Sequence, residues 1–143
     1  MKSEESEIAL DHFKDTARLE LDAFTSRITL EDYQKAYDYI VEAKKNHQRV
    51  HVTGIGKPSY VAGYIASLMS STGTPAYVLH GTEAIHGSSG QVLENDVVIA
   101  ISNSGETEEL KKTIVTLKRN GAIIIGVSGN RESWLAQHSD AHL

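Results

Sequence analysis

The chain has no cysteine in 143 residues, which excludes disulfides, thiolate catalysis and thiolate metal sites. It also lacks any run near the ~18 apolar residues of a membrane span, and its acidic, polar start is unlike a signal peptide. A cytoplasmic protein with no membrane partner is the expectation. Lys and Arg number 14 against 19 Asp and Glu, giving a net charge of −5. They gather on no single face, which argues against nucleic acid as the main partner. There is no internal repeat and no low-complexity segment. What the chain does have is 40% hydrophobic content, enough for one compact domain with a real core.

No strand signal interrupts the first 47 residues. Leu10, Phe13, Ala17, Leu21, Phe24 and Ile28 recur at spacings of 3, 4, 4, 3 and 4, one stripe of an amphipathic helix. A second helix is expected from Thr29, a suitable N-cap with Asp32 three residues on, carrying Tyr33, Ala36, Tyr37, Ile40 and Val41 inward. Residues 1–47 therefore read as a helical arm, able to cover a sheet or to pack against a second copy of the chain.

From Arg49 onward, strand and helix patterns alternate. Strands are expected at 50–54, 76–79, 97–101 and 122–127, with an extended start at 141–143. Helices are expected at 58–72, from 108 to Arg119 and near 131–138, with a helical turn around Thr82 to Gly87. This alternation predicts a three-layer αβα sandwich with a parallel, flavodoxin-like sheet of about five strands in residues 48–143. Ligands in such sheets sit at the carboxyl ends of the strands. Gly54-Ile55-Gly56, Ser102 to Thr107 and Ser128-Gly129-Asn130 all fall there.

The densest chemistry is Ser102-Asn103-Ser104-Gly105-Glu106-Thr107, where a strand that is apolar throughout gives way to a helix carrying Leu110, Ile114 and Leu117 on one face. Amides at the helix start and the positive end of its dipole favour an anion, and Ser102, Ser104 and Thr107 add hydroxyl donors. A single N-cap would need only one of those hydroxyls. Glu106 within this loop is either a proton-transfer group or a favourable acid at the helix dipole. In Gly54-Ile55-Gly56-Lys57-Pro58-Ser59 the glycines let backbone approach a ligand, Pro58 suits a first helical position, and Lys57 offers a cation. The loop is neither a Walker A sequence nor a Gly-x-Gly-x-x-Gly fingerprint, since its last position is Ser59. It also fits a plain tight turn with an exposed lysine. Glu83 and His86 share helical spacing that suits a metal, but too few ligands accompany them, so no metal is assigned. Their ordinary readings are a solvated carboxylate and a loop histidine bonded to a neighbouring carbonyl.

Together, Gly54-Ile55-Gly56-Lys57, Ser71-Thr72-Gly73-Thr74-Pro75, Glu83-Ala84-Ile85-His86-Gly87 and the run Val97 to Thr107 resemble the sugar isomerase (SIS) domain, and within it the arabinose 5-phosphate isomerase branch. The resemblance runs from about Arg49 to Leu143. It implies an aldose-ketose sugar phosphate isomerase working through an enediolate without a cofactor. It places the phosphate on Ser102, Ser104 and Thr107, with Gly54, Gly56, Ser59, Asn103 and Gly105 around it, and Lys57, His86 and Glu106 in the catalytic roles. Family members commonly have serine where this chain has Pro58. Their further glutamate and a later histidine would lie beyond Leu143, as would appended regulatory domains. The partners expected are a small-molecule sugar phosphate and the chain itself, as a homodimer or homotetramer. SIS modules that sense a sugar phosphate without converting it are the alternative; the acidic arm here lacks the basic recognition helix of a DNA-binding regulator.

Overall fold

A computed structural model describes residues 2–143 and divides into two compact units, one ending at Leu30 and the other covering Glu31–Leu143. In the first, α1 (Lys2–Thr25) begins with Glu4 and Glu5 in its first turn, where the helix dipole favours acids. It carries the expected stripe of Leu10, Phe13, Leu21 and Phe24, all exposed, while Ile28 falls after the helix has ended.

The second unit holds α2 (Leu30–Lys45), β1 (Val50–Gly54), α3 (Lys57–Ser71), β2 (Ala76–His80), the short α4 (Gly81–Ala84), a 3-10 turn (Ser88–Gln91), β3 (Val97–Ile101), α5 (Glu108–Arg119), β4 (Ile123–Val127), α6 (Trp134–His138) and β5 (Ala141–His142). All pairings are parallel and the strand order is β2-β1-β3-β4-β5, the flavodoxin-like arrangement expected from the alternation.

Strand β3 shows why the sheet is a middle layer. Val98 and Ala100 enter one core with Leu110, Ile114 and Leu117 of α5, while Val97 and Ile99 enter another with Ala36 and Ala43 of α2 and Ala62 and Ala66 of α3. A strand buried on both faces has to be apolar at every position rather than at alternate ones. Ile114 and Leu117 are fully buried, each contributing about 1.5–3 kcal/mol through burial.

Helix α2 is turned relative to the sequence expectation. Its buried residues are Ala36 and Ala43, with Tyr39 and Ile40 packed beside them, whereas Tyr33 and Tyr37 are exposed. The small alanines face the core, and the rings of Tyr33 and Tyr37 then face outward. Among the other differences, α3 starts at Lys57 with Gly56 at its N-cap, and α6 starts only at Trp134, capped by the Ser133 hydroxyl, which accepts from the Ala136 amide at 3.3 Å.

Gly54 pairs with His80 and Ile101, and Ile101 with Val127, so four strands end level and their loops open on one edge. At the other end of the sheet, buried Asp96 accepts from the Arg49 and Leu93 amides at 2.9 Å each and faces His51 Nε2 at 3.3 Å. The buried His51 Nδ1 and Thr53 Oγ1 have no hydrogen-bond partner among the described residues.

Candidate functional site

Close packing builds the carboxyl edge. A Cβ on Gly54 would stand 2.8 Å from the carbonyl carbon and Cβ of Pro58, so glycine is what allows the first turn of α3 to fold back over the end of β1. Gly105 is held by the segment after β4. Its φ of +69° suits glycine, and an added Cβ would overlap Ser133, whose side chain is fully buried. The Leu135 amide donates to the Gly105 carbonyl at 3.0 Å, and the Gly129 amide to that of Asn103 at 3.0 Å. Segment 128–135 is thus the floor of the serine loop.

Within the loop, Ser102 Oγ is buried, accepts from the Gly105 amide at 3.1 Å and lies 3.1 Å from Thr107 Oγ1. Ser104 Oγ accepts from the Glu106 amide at 3.2 Å. Two amides expected to face an anion are therefore satisfied internally by serines. Thr107 stands at the N-cap of α5, yet its side chain caps nothing. Of the two protons on Ser102 and Thr107, one fills the space between their oxygens. The other, with that of Ser104, has no acceptor among the described residues, so the loop keeps donors for an incoming oxyanion.

A cleft of about 540 Å³ lies beside the loop, lined by Lys57, Pro58, Val61, Ile101, Ser102, Asn103, Val127, Ser128 and Gly129. The volume is in the range of small-molecule sites. The structure thus joins Lys57 to Ser102 and Asn103 on one wall. Ser59 does not line that wall, and its hydroxyl donates to the Gly56 carbonyl at 2.6 Å. His86 is exposed in the turn after α4, with its amide donating to Glu83 O at 3.0 Å, and it too is outside the cleft lining. His80 rather than His86 makes the local side-chain contacts, its Nδ1 lying 3.0 Å from Thr82 Oγ1 and capping α4.

Glu106 precedes the N-cap of α5, and the first-turn acids of that helix are Glu108 and Glu109. Its Oε1 accepts from the Trp134 amide at 2.6 Å and its Oε2 meets Lys111 Nζ at 2.7 Å. The lysine first, then that amide, holds the carboxyl below the usual range, and the glutamate reciprocally raises Lys111.

Two groups outside the expected set also belong to this edge. Ser128, on the cleft wall, lies 2.8 Å from His142 Nε2 and 3.1 Å from Ser133 Oγ. Burial, with the charge of Arg131 added, lowers the His142 pKa against an opposing pull from Asp32. The Ser-Gly-Asn directly after β4 signalled a loop on this edge, but periodicity could not show that Ser128 reaches the cleft, and nothing in the sequence pointed to His142.

A family model described as the SIS domain matches residues 44–143. The chain is 39% identical over 130 residues to arabinose 5-phosphate isomerase KdsD of Pseudomonas aeruginosa, a match covering 90% of this chain and 39% of the relative. It is 34% identical to the crystal structure of a Bacteroides fragilis phosphosugar isomerase involved in capsule formation, with a TM-score of 0.83, covering 94% of this chain and 72% of that one. An Escherichia coli CFT073 protein solved in complex with a sugar phosphate is also 34% identical, with a TM-score of 0.77 and coverage of 94% and 71%. The chain therefore spans about two fifths of the length of the Pseudomonas relative.

Proposed function

The chain belongs to the SIS domain family, and we propose that it carries the phosphosugar-binding core of an aldose-ketose isomerase acting between arabinose 5-phosphate and ribulose 5-phosphate. The observation that carries this reading is the cleft that unites Lys57 with Ser102 and Asn103, the start of a serine loop whose Ser104 and Thr107 stand outside the lining and which still holds undonated hydroxyl protons. In the proposed reaction a base takes the proton from C2 of the aldose and an acid returns it to C1, while a hydroxyl proton passes from O2 to O1. The intermediate between the two steps is an enediolate. Ser102, Ser104 and Thr107 bind the phosphate, which positions the carbons without reacting. Lys57 stabilises the negative charge that develops on the enediolate oxygens. Glu106 is the candidate base, and His86 serves ring opening or hydroxyl proton transfer.

Self-association is part of the proposal. On α3, Tyr60, Val61, Tyr64 and Leu68 are exposed, and Val61 also lines the cleft. A second copy covering that strip would border the site. Light scattering at micromolar concentration is expected to give at least a dimer mass; a clean monomer would refute this part.

The functional test pairs calorimetry with turnover on arabinose 5-phosphate and ribulose 5-phosphate. Binding with interconversion is the expected result. Binding without turnover favours a sensing module, and absence of both overturns the reading.

A further inference from the structure

A carboxylate inside a phosphate loop is electrostatically unfavourable unless something neutralises it. Here both oxygens of Glu106 are taken, one by the Trp134 amide at 2.6 Å and one by Lys111 Nζ at 2.7 Å. Lys111 is not a loosely waving surface lysine: its side chain is only 21% exposed. Its ammonium also reaches Glu108 Oε1 at 2.9 Å and lies 5.9 Å from the centre of the Trp134 ring. That ring is itself fixed, stacked on His138 at 3.9 Å. The groups facing Glu106 are thus Lys111, shared with Glu108, from α5 and the Trp134 amide from α6. Neither oxygen is directed by a cleft residue, and Glu106 is outside the cleft lining.

We propose that Lys111 is a positioning residue for Glu106: with the Trp134 amide it docks the carboxylate off the cleft and cancels its charge, so that the serine loop can accept a phosphate. This rests on the reading of Ser102 to Thr107 as the phosphate loop. If Glu106 acts as the base, it does so only after this pair opens, so Lys111 also governs when the base is available.

The test uses the whole 143-residue chain and two measurements. In the ligand-free protein, carbon NMR follows the pH titration of the Glu106 carboxyl. Its midpoint is expected to rise in Lys111→Met and to stay in place in Lys112→Met, which removes the same charge from the neighbouring position of α5. An unchanged midpoint in Lys111→Met overturns the docking. Calorimetry with inorganic phosphate then tests compensation. Lys111→Met is expected to bind several-fold more weakly at low salt, because it leaves one uncompensated carboxylate in the loop that takes the dianion, with the gap closing as salt is added. Lys112→Met should bind like the parent, Lys111→Arg should retain most of the affinity, and Glu106→Gln in the Lys111→Met background should restore it. If the double variant stays weak, Lys111 touches phosphate directly and the proposal is wrong. Failure of the parent to bind phosphate overturns compensation and the phosphate-loop reading together, whereas phosphate binding with a closed cycle but no sugar phosphate turnover sinks only the isomerase reading.

Discussion

Replacing Gly105 by alanine puts one methyl group where the loop meets its floor, and the structure says what that methyl would meet. The backbone at Gly105 has φ +69°, a left-handed conformation that disfavours alanine by roughly 1–2 kcal/mol. The new Cβ would overlap the Oγ and Cβ of Ser133. Ser133 is fully buried and caps α6 through the Ala136 amide, so it cannot swing aside without releasing that helix. Overpacking of this kind adds roughly 1–3 kcal/mol, giving about 2–5 kcal/mol in all, a large fraction of the 5–15 kcal/mol typical of a domain. At about 3 °C per kcal/mol for a chain of this size, the melting temperature should fall by roughly 6–15 °C. The control is Gly63→Ala in the middle of α3, where an added Cβ has nothing within 4 Å. That change should stabilise by about 0.5–1 kcal/mol, since glycine is a poor helix former. Thermal denaturation followed by circular dichroism reads both. A Gly105→Ala protein that melts with the parent would show that the loop does not rest on Ser133, and an equal loss in both variants would show that sterics are not the cause.

Two further outcomes are expected. Ser104→Ala leaves the fold intact but removes one donor to a charged ligand, weakening sugar phosphate binding by about 1.5–3 kcal/mol, or roughly ten- to a hundredfold by calorimetry; unchanged affinity would put the anion in another loop. Acid should weaken the fold: burial lowers His51 below its ordinary 6.5, outweighing the pull of Asp96, so the unfolded chain binds the proton more readily. The stability this histidine contributes is full above about pH 6.5 and is lost as pH falls through the lowered native value. His142 is lowered in the same sense. Urea midpoints measured from about pH 8 to 5 should decline, with a shallower slope in His51→Gln, and a flat parent profile would sink the argument.

The fold was legible because its signals are local. An unbroken apolar strand, glycine-bearing loops after strands and the spacing of Leu110, Ile114 and Leu117 each constrain a few neighbouring residues, and a parallel sheet with helices on both faces is the arrangement that satisfies them all. The misreading of α2 has the same origin. Its tyrosines and its alanines both recur at helical spacing, and hydrophobicity alone ranks Tyr37 alongside Ala36. What decides between them is which face of the helix is covered by the core it shares with the sheet and α3, and no window of sequence contains that.

The serine loop illustrates the opposite case. Its hydroxyls were visible as a motif, and Ser102, Ser104 and Thr107 lie where the strand-to-helix turn puts them. How they are used depends on groups far along the chain: Ser133 under Gly105, Leu135 on the Gly105 carbonyl, and Trp134 on the Glu106 carboxylate. Two readings of Glu106 were open, a base facing substrate or an acid at its own helix dipole, and its position before the N-cap of α5 belongs to neither pattern outright. Its carboxylate bonds to the first amide of a different helix and to a lysine five residues on. Motif residues specify which chemistry a loop can perform; the residues that dock them decide which groups are free to perform it. Those docking residues bear no signature of their own, because a backbone amide can come from any residue type except proline and a neutralising lysine looks in sequence like any other lysine on a solvated helix. The contacts that hold the Glu106 carboxylate thus come from Lys111 and Trp134, outside the motif that made Glu106 a candidate.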